Sequence, residues 1–164
     1  MVMNPRMLRV AEATSTTRIR TVVVDDSPSM LKRLARILKA AGNFDLVGTA
    51  TNGWQALRQV SALSPELVLI DFRLPHLNGI QATQYIKQRE YPPVVILVTS
   101  DDSAFARSMA EMAGADGFIR KEGNLRHRLI GALQDIFRPS GERRMGANCN
   151  SFPNRLSAHQ KSGR

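Results

Sequence analysis

Short apolar runs alternate with helix-like segments through the middle of the chain. Residues 21–24 form a β-branched run typical of a strand that is buried on both faces of a parallel sheet. The run ends at two aspartates, after which Ser27 and Pro28 supply a helix N-cap and a first-turn proline. Apolar residues then recur at helical spacing as far as Gly42. This stretch predicts one strand followed by one helix.

Four further strand–helix pairs follow the first. Parallel strands need crossover connections, so the five pairs predict an α/β fold in which a doubly wound parallel sheet of five strands carries helices on both faces. In folds of this class the ligand site lies beyond the carboxyl ends of the strands. The further strands are predicted at residues 46–50, 67–70, 94–98 and 117–119, and the further helices at residues 53–63, 80–88, 103–113 and 125–137.

The two ends of the chain lack this alternation. Residues 1–17 are rich in Thr, Ser and Arg, and residues 139–164 combine Ser, Gly, Asn and Arg with isolated apolar residues. We interpret them as a flexible leader and a basic flexible tail on either side of one domain, residues 18–138. The tail has too little periodicity for a helix-turn-helix module, so an attached DNA reader is not supported.

Charge separates the tails from the domain. The chain of 164 residues is 43% apolar, as expected for one domain, and its formal net charge is +9. Residues 21–138 contain 14 basic and 12 acidic residues, so most of the positive charge lies in the flanks. The single cysteine, Cys149, excludes an internal disulfide, and no run approaches the roughly 18 apolar residues of a membrane span. We therefore expect a cytoplasmic protein with no membrane association.

Polar residues with complementary chemistry follow four of the predicted strands. Asp25 and Asp26 follow the first strand and Asp71 the third, while Thr99 and Lys121 follow the fourth and fifth. Converging carboxylates repel one another unless a cation neutralises them, and an oxygen-only cluster suits Mg²⁺. One carboxylate can then attack a phosphoryl group to form an aspartyl phosphate. The cation, the lysine and the hydroxyl would stabilise the phosphoryl oxygens.

Four motifs carry a family resemblance. They are Val-Asp-Asp-Ser at 24–27, the Asp-to-Gly segment at 71–79, Val-Thr-Ser at 98–100 and the Gly-to-Lys segment at 114–121. In this order and spacing they resemble the response-regulator receiver domains of bacterial two-component signalling, over residues 18–138. The resemblance implies a CheY-like, flavodoxin-like sheet with the strand order 2-1-3-4-5.

The resemblance also implies a metal site and a phosphorylation site. By it, Asp71 is the phosphoacceptor. Asp25 and Asp26 would hold Mg²⁺ directly or through water, with Asp71 and the backbone carbonyl of Arg73 completing the coordination.

The resemblance assigns the switch as well. Thr99 and Lys121 would contact the phosphoryl group, and Phe118 would be the aromatic residue that changes rotamer on activation. The face formed by residues 103–113, the fifth strand and residues 125–137 would then report the change to a protein target.

Two features depart from the commonest pattern of the family. Glu122 follows the lysine where proline is usual, which resembles receivers of regulators that carry a C-terminal helix-turn-helix. Arg73 and Ser100 occupy variable positions at the rim of the site. A long Arg73 side chain would either shield the aspartyl phosphate or perturb the metal, and the sequence leaves both readings open.

The favoured function is a stand-alone response regulator, phosphorylated by a histidine kinase or phosphotransfer protein, that is not a turnover enzyme. It would be a monomer or a phosphorylation-dependent homodimer. The alternatives are a phosphorelay or phosphate-sink receiver, a degenerate receiver, and a nucleic-acid-associated regulator that uses the basic tail. A phosphatase-type hydrolase is disfavoured because Arg73 stands where such enzymes carry a second acid. Elsewhere, Met109 and Met112 are expected to pack in a helix, and Trp54 to be a structural or surface aromatic.

Overall fold

Five strands alternate with five helices in residues 18–137, the part of the chain that the structure, a computed structural model, describes. The predicted leader and tail, residues 1–17 and 139–164, lie outside these residues. The strands are β1 (Ile19–Val24), β2 (Phe44–Ala50), β3 (Leu67–Asp71), β4 (Val94–Thr99) and β5 (Gly117–Arg120). The helices are α1 (Pro28–Ala41), α2 (Gly53–Leu63), α3 (Gly79–Lys87), α4 (Ala104–Met112) and α5 (Leu125–Ile136).

All strands are parallel, in the order β2-β1-β3-β4-β5. This confirms the predicted five-stranded, flavodoxin-like sheet. The predicted elements also agree with the structure, with bounds that differ by one or two residues. Strands β3, β4 and β5 each continue one residue beyond the apolar run, because their last polar residues, Asp71, Thr99 and Arg120, still belong to the strands.

Each helix begins at a polar side chain that accepts a hydrogen bond from the first turn. Such a cap satisfies one of the backbone N–H groups that have no partner within the helix. At α3 the cap is reciprocal, since the Gln81 side chain also accepts from the cap backbone. The five capping residues are Ser27, Asn52, Asn78, Ser103 and Asn124.

Apolar side chains fill both sides of the sheet. On β1, Val22 and Val24 pack with α2, α3 and α4, whereas Val23 packs with α1 and α5.

Trp54 is 57% exposed, in agreement with a surface aromatic. Met109 packs against the core, but the prediction for Met112 was wrong: it is 74% exposed, because the buried face of α4 runs through Ala106, Ala110 and on to Ala113, and Met112 lies off that face. Within residues 18–137, no helix has the length and apolarity needed to cross a membrane.

Candidate functional site

The register between β1 and β3 brings three carboxylates together. Val24 pairs with Ile70, so Asp25 and Asp71 come next on adjacent strands, at the carboxyl edge of the sheet. Asp26 follows in the turn that leads into α1. Each of these aspartates offers an oxygen, and the three oxygens lie within 4.8 Å of one another. The arrangement predicted from the sequence is therefore present.

The register across β3, β4 and β5 adds a hydroxyl and an ammonium group to the same edge. Asp71 pairs with Val98, so Thr99 is the next residue on β4. Thr99 in turn pairs with Arg120, and its carbonyl accepts a hydrogen bond from the Lys121 N–H at 2.7 Å. Asp71, Thr99 and Lys121 all line one cleft of about 430 Å³.

Lys121 lies between the two buried carboxylates of the cluster. Its Nζ is 2.6 Å from Oδ2 of Asp25 and 3.1 Å from Oδ1 of Asp71, and its side chain is 11% exposed. The sequence predicted a phosphoryl contact for this lysine but not its ion pair with Asp25. Desolvation is the main cause that raises the pKa of Asp71, and the neighbouring charge of Asp25 adds to it, while the charge of Lys121 lowers the pKa and only partly offsets this rise.

The acidic cluster fits a hard divalent cation. Oδ1 of Asp25 accepts a hydrogen bond from the Ser27 N–H at 2.9 Å, but its buried Oδ2 has no hydrogen-bond donor within residues 18–137. The nearby Lys121 ammonium compensates Oδ2 by charge without the alignment of a hydrogen bond. A buried carboxylate oxygen in this condition, next to two further carboxylates, is suited to an oxygen-liganded ion such as Mg²⁺.

Thr99 is held from the loop that follows it. Its buried Oγ1 accepts a hydrogen bond from the Asp101 N–H at 3.1 Å. Because this bond uses a lone pair, the hydroxyl proton of Thr99 remains available to donate. The Asp101 carboxylate accepts from the Ser103 N–H at 3.0 Å, and this bond, together with the weaker effect of Arg73, lowers the pKa of Asp101.

Arg73 lies beside the cleft and is ion-paired. Its Nη2 is 3.2 Å from Oδ2 of Asp101, and its side chain is 76% exposed. The guanidinium group is thus engaged with the loop after β4, and the choice between shielding the aspartyl phosphate and perturbing the metal stays a prediction. The backbone N–H of Arg73 has a small lowering effect on the pKa of Asp71. A role for the Arg73 carbonyl as a metal ligand stays a prediction.

Two glycines fix the loop that follows Asp71. A Cβ at Gly79 would lie 1.9 Å from the Asp71 carbonyl oxygen, and the Gly79 N–H donates to the Phe72 carbonyl at 3.0 Å. A Cβ at Gly53 would lie 2.2 Å from the Leu77 carbonyl oxygen, which accepts from the Gly53 N–H at 3.1 Å. Helices α2 and α3 therefore contact this loop with no space for a side chain at either position.

Phe118 is completely buried on β5. The guanidinium carbon of Arg107, on α4, lies 5.1 Å from the centre of its ring. This is a cation–π distance. The packed state is the one the sequence predicted, and the change of rotamer stays a prediction.

Sequence reasoning missed a second set of charged residues around the cleft. Arg120 contacts Asp102 and Glu122, and Arg73 contacts Asp101. The acidic pair directly after β4 was a visible signal, but its arginine partners lie 28 and 18 residues away, so no local pattern could pair them.

Comparisons with known proteins place this domain among proteins of a known family. Residues 21–134 match the response regulator receiver domain family. The solved receiver domain of NarL from Mycobacterium tuberculosis superposes with a TM-score of 0.68 at 31% identity, covering 73% of this chain and 95% of that one. The response regulator domain of CheB from Thermotoga maritima gives a TM-score of 0.65, also at 31% identity, with 73% and 93% covered.

Among curated proteins, a protein-glutamate methylesterase/protein-glutamine glutaminase of Pseudomonas fluorescens is 38% identical over 104 residues. The match covers 63% of this chain but 28% of that protein, and the NarL match covers 54% of that protein's length. The chain thus spans about half or less of the curated relatives it matches, and their methylesterase and transcriptional activities belong to them. The family match and the CheY-like fold show that this chain belongs to the response regulator receiver domains of two-component systems.

Proposed function

We propose that this protein accepts a phosphoryl group on Asp71 from the phosphohistidine of a histidine kinase or phosphotransfer protein, in a Mg²⁺-dependent reaction. One observation carries the proposal. The Lys121 ammonium group contacts the buried carboxylates of Asp25 and Asp71. The buried Thr99, the last residue of β4, lies at the same edge of the sheet. Burying such a group of charges costs free energy, and clusters of this kind are concentrated at functional sites.

The transfer is a displacement at phosphorus. A carboxylate oxygen of Asp71 attacks the phosphorus atom, an O–P bond forms and the N–P bond to the donor imidazole breaks. The electron pair of the broken bond returns to the imidazole nitrogen. Lys121, already 3.1 Å from Asp71, compensates the charge of the phosphoryl oxygens, and the free hydroxyl proton of Thr99 donates to one of them.

The metal would be held by the carboxylates of Asp25, Asp26 and Asp71 and by the backbone carbonyl of Arg73. A bound divalent cation supplies charge neutralisation at the phosphoryl oxygens. The protein's own contribution is to hold the carboxylates close together. It also shelters the site, since Asp25 and Asp71 are both buried.

The output follows from the groups around Asp71. The new phosphoryl charge attracts Thr99 and Lys121, and this biases the positions of the loop before α4 and of Phe118. We propose that the face of α4, β5 and α5 then contacts a protein target. In this role the protein is a phosphoacceptor with self-catalysed transfer and hydrolysis, and does not turn over a substrate.

Several sequence-based expectations stay predictions. They are the stand-alone arrangement, the cytoplasmic location and the choice between monomer and phosphorylation-dependent homodimer. Nucleic-acid binding through the tail also stays a prediction, because residues 139–164 lie outside the described residues. The phosphorelay alternative shares the chemistry at Asp71 and differs only in where the phosphoryl group goes next.

Intact mass after incubation with acetyl phosphate and Mg²⁺ tests the proposal. We expect one phosphoryl adduct that disappears when a chelator is added and in Asp71→Asn. The adduct should persist in the control Asp45→Asn, which removes a carboxylate near the amino end of β2. A beryllofluoride titration with Mg²⁺ covers the case of a poor small donor. Absence of both the adduct and beryllofluoride binding would overturn the proposed function.

A further inference from the structure

Arg120 connects two segments that flank the site. Its Nη1 donates to Oδ2 of Asp102 at 2.7 Å, and its Nε donates to Oε2 of Glu122 at 2.8 Å. Its Nη2 also contacts Glu122. A planar guanidinium group has five N–H donors in a fixed fork, so it can hold both acids at once in a defined geometry.

Glu122 belongs to the segment that carries Lys121. Its backbone carbonyl accepts a hydrogen bond from Nη1 of Arg128 at 2.8 Å, and the chain then turns at Gly123 with φ of +71°. Glu122 stands where the family commonly has proline. The side chains of Arg120 and Glu122, which flank Lys121 in the sequence, are therefore bonded to each other. This contact restrains the backbone on both sides of the lysine.

Asp102 belongs to the segment that holds Thr99. It directly follows Asp101, whose N–H donates to Oγ1 of Thr99 and whose carboxylate pairs with Arg73. The loop between β4 and α4 is therefore tied on one side to Arg73 and on the other to Arg120. Movement of this loop would move the group that orients the Thr99 hydroxyl.

We propose that Arg120 is a positioning residue that fixes Thr99 and Lys121 relative to each other, by binding Asp102 and Glu122 together. The inference rests on the proposed function, in which those two residues bind the phosphoryl group. Arg120 acts through its two acidic partners and does not itself touch the acceptor. It completes the geometry required for phosphoryl binding but takes no part in the metal site.

The exposure of these ion pairs distinguishes positioning from stabilisation. The side chains of Arg120, Asp102 and Glu122 are each roughly half exposed, and exposed ion pairs contribute little to folding stability. Small displacements of groups that bind a reacting centre, in contrast, are costly to the reaction. Loss of Arg120 should therefore weaken phosphoryl binding far more than folding.

Two titrations by isothermal calorimetry test this, one with Mg²⁺ alone and one with beryllofluoride in saturating Mg²⁺. For Arg120→Gln we expect the Mg²⁺ affinity to stay within about twofold of wild type and the beryllofluoride affinity to fall about fivefold. The beryllofluoride affinity of Arg120→Lys should lie between those of wild type and Arg120→Gln. An ammonium group keeps the charge but cannot hold both acids in the fixed geometry of a guanidinium group. Arg36→Gln, which removes an exposed arginine from α1, is the control for charge and should match wild type.

Asp102→Asn provides a second route to the same contact. It should also lower beryllofluoride affinity, and the double variant with Arg120→Gln should lose less than the sum of the two single losses. This variant keeps the test decisive if Arg120→Gln does not fold. A general structural role would lower the Mg²⁺ affinity and the unfolding midpoint together with the beryllofluoride affinity, and would overturn the inference.

The two proposals fail in different ways. If wild type binds Mg²⁺ but neither beryllofluoride nor a phosphoryl group, the proposed function is wrong and the role of Arg120 falls with it. If wild type binds beryllofluoride and both Arg120→Gln and Asp102→Asn bind it equally well, only the positioning role is wrong.

Discussion

The ammonium nitrogen of Lys121 lies 2.6 Å from Oδ2 of Asp25, a carboxylate that is 1% exposed. That oxygen belongs to the same acidic cluster that fits Mg²⁺. The lysine therefore supplies positive charge to carboxylates that a metal ion would also bind. Its contribution to stability should depend on whether the metal is present.

Lys121→Met should destabilise the metal-free protein strongly. It removes the cation from two buried carboxylates, and breaking a buried ion pair from one side costs roughly 3 kcal/mol. Added Mg²⁺ should recover much of this loss, so that the rise in thermal unfolding midpoint on adding Mg²⁺ is larger for the variant than for wild type. Lys32→Met, at an exposed position on α1, is the matched control. An equal rise in all three proteins would contradict the shared-charge interpretation.

Asp71→Asn should stabilise the metal-free fold at neutral pH, by on the order of 1 kcal/mol. Burial raises the pKa of Asp71, so the folded state binds this proton more tightly than the unfolded state. The stability contributed by protonated Asp71 is fully present below the unfolded pKa and is lost as the pH rises through the folded pKa. Urea unfolding in a chelator, at pH values stepped down from about 7.5 to about 5, should show the stability advantage of the variant shrinking as the pH falls. A constant or growing advantage would count against the raised pKa.

Gly79→Ala should destabilise the protein by about 2 kcal/mol, because the new Cβ meets the backbone carbonyl of Asp71 at 1.9 Å. This contact is with backbone atoms, which cannot move aside cheaply, so relieving it should displace Asp71 and destabilise the fold. Gly131→Ala on α5 is the control: its Cβ would meet nothing within 4 Å, and the change should stabilise the helix by about 0.5–1 kcal/mol. Urea unfolding of both variants measures the difference, and similar midpoints would show that the contact at Gly79 relaxes.

Arg107→Gln should cost about 0.5–1 kcal/mol through loss of the cation–π contact with Phe118. The cost of Arg107→Gln should disappear when the substitution is made in a Phe118→Leu variant, which has no aromatic ring at this position. A double-mutant cycle from urea unfolding isolates this pair from the loss of charge alone. If Arg107→Gln costs the same in both backgrounds, the arginine stabilises α4 independently of the ring.

Local pattern was sufficient for the elements of the fold. The run at residues 67–70 predicts β3, and the capping sequence at Ser27 and Pro28 predicts the start of α1; both agree with the structure. Parallel strands end at the same edge, which is why Asp25 and Asp71 could be placed together without coordinates.

Contacts between side chains from distant segments were not predictable in the same way. The pairing of Arg73 with Asp101, and of Arg120 with Asp102, depends on the path of the loop after β4 relative to the loop after β3 and to the end of β5. Charge alone allows many partners for each arginine. The exposed Met112 has a different cause: the buried face of α4 passes through Ala106, Ala110 and Ala113, and Met112 lies off that face.

The close contact between Gly53 and Leu77 has a practical consequence. Trp54, the single tryptophan of the chain, directly follows Gly53, whose N–H is bonded to the Leu77 carbonyl in the loop after Asp71. Its indole ring is partly in water, so its emission should respond to small displacements of that loop. Trp54 is therefore a native fluorophore one residue from a contact with the loop after Asp71, and its emission should test, without a label, whether that loop moves when Mg²⁺ or beryllofluoride is added.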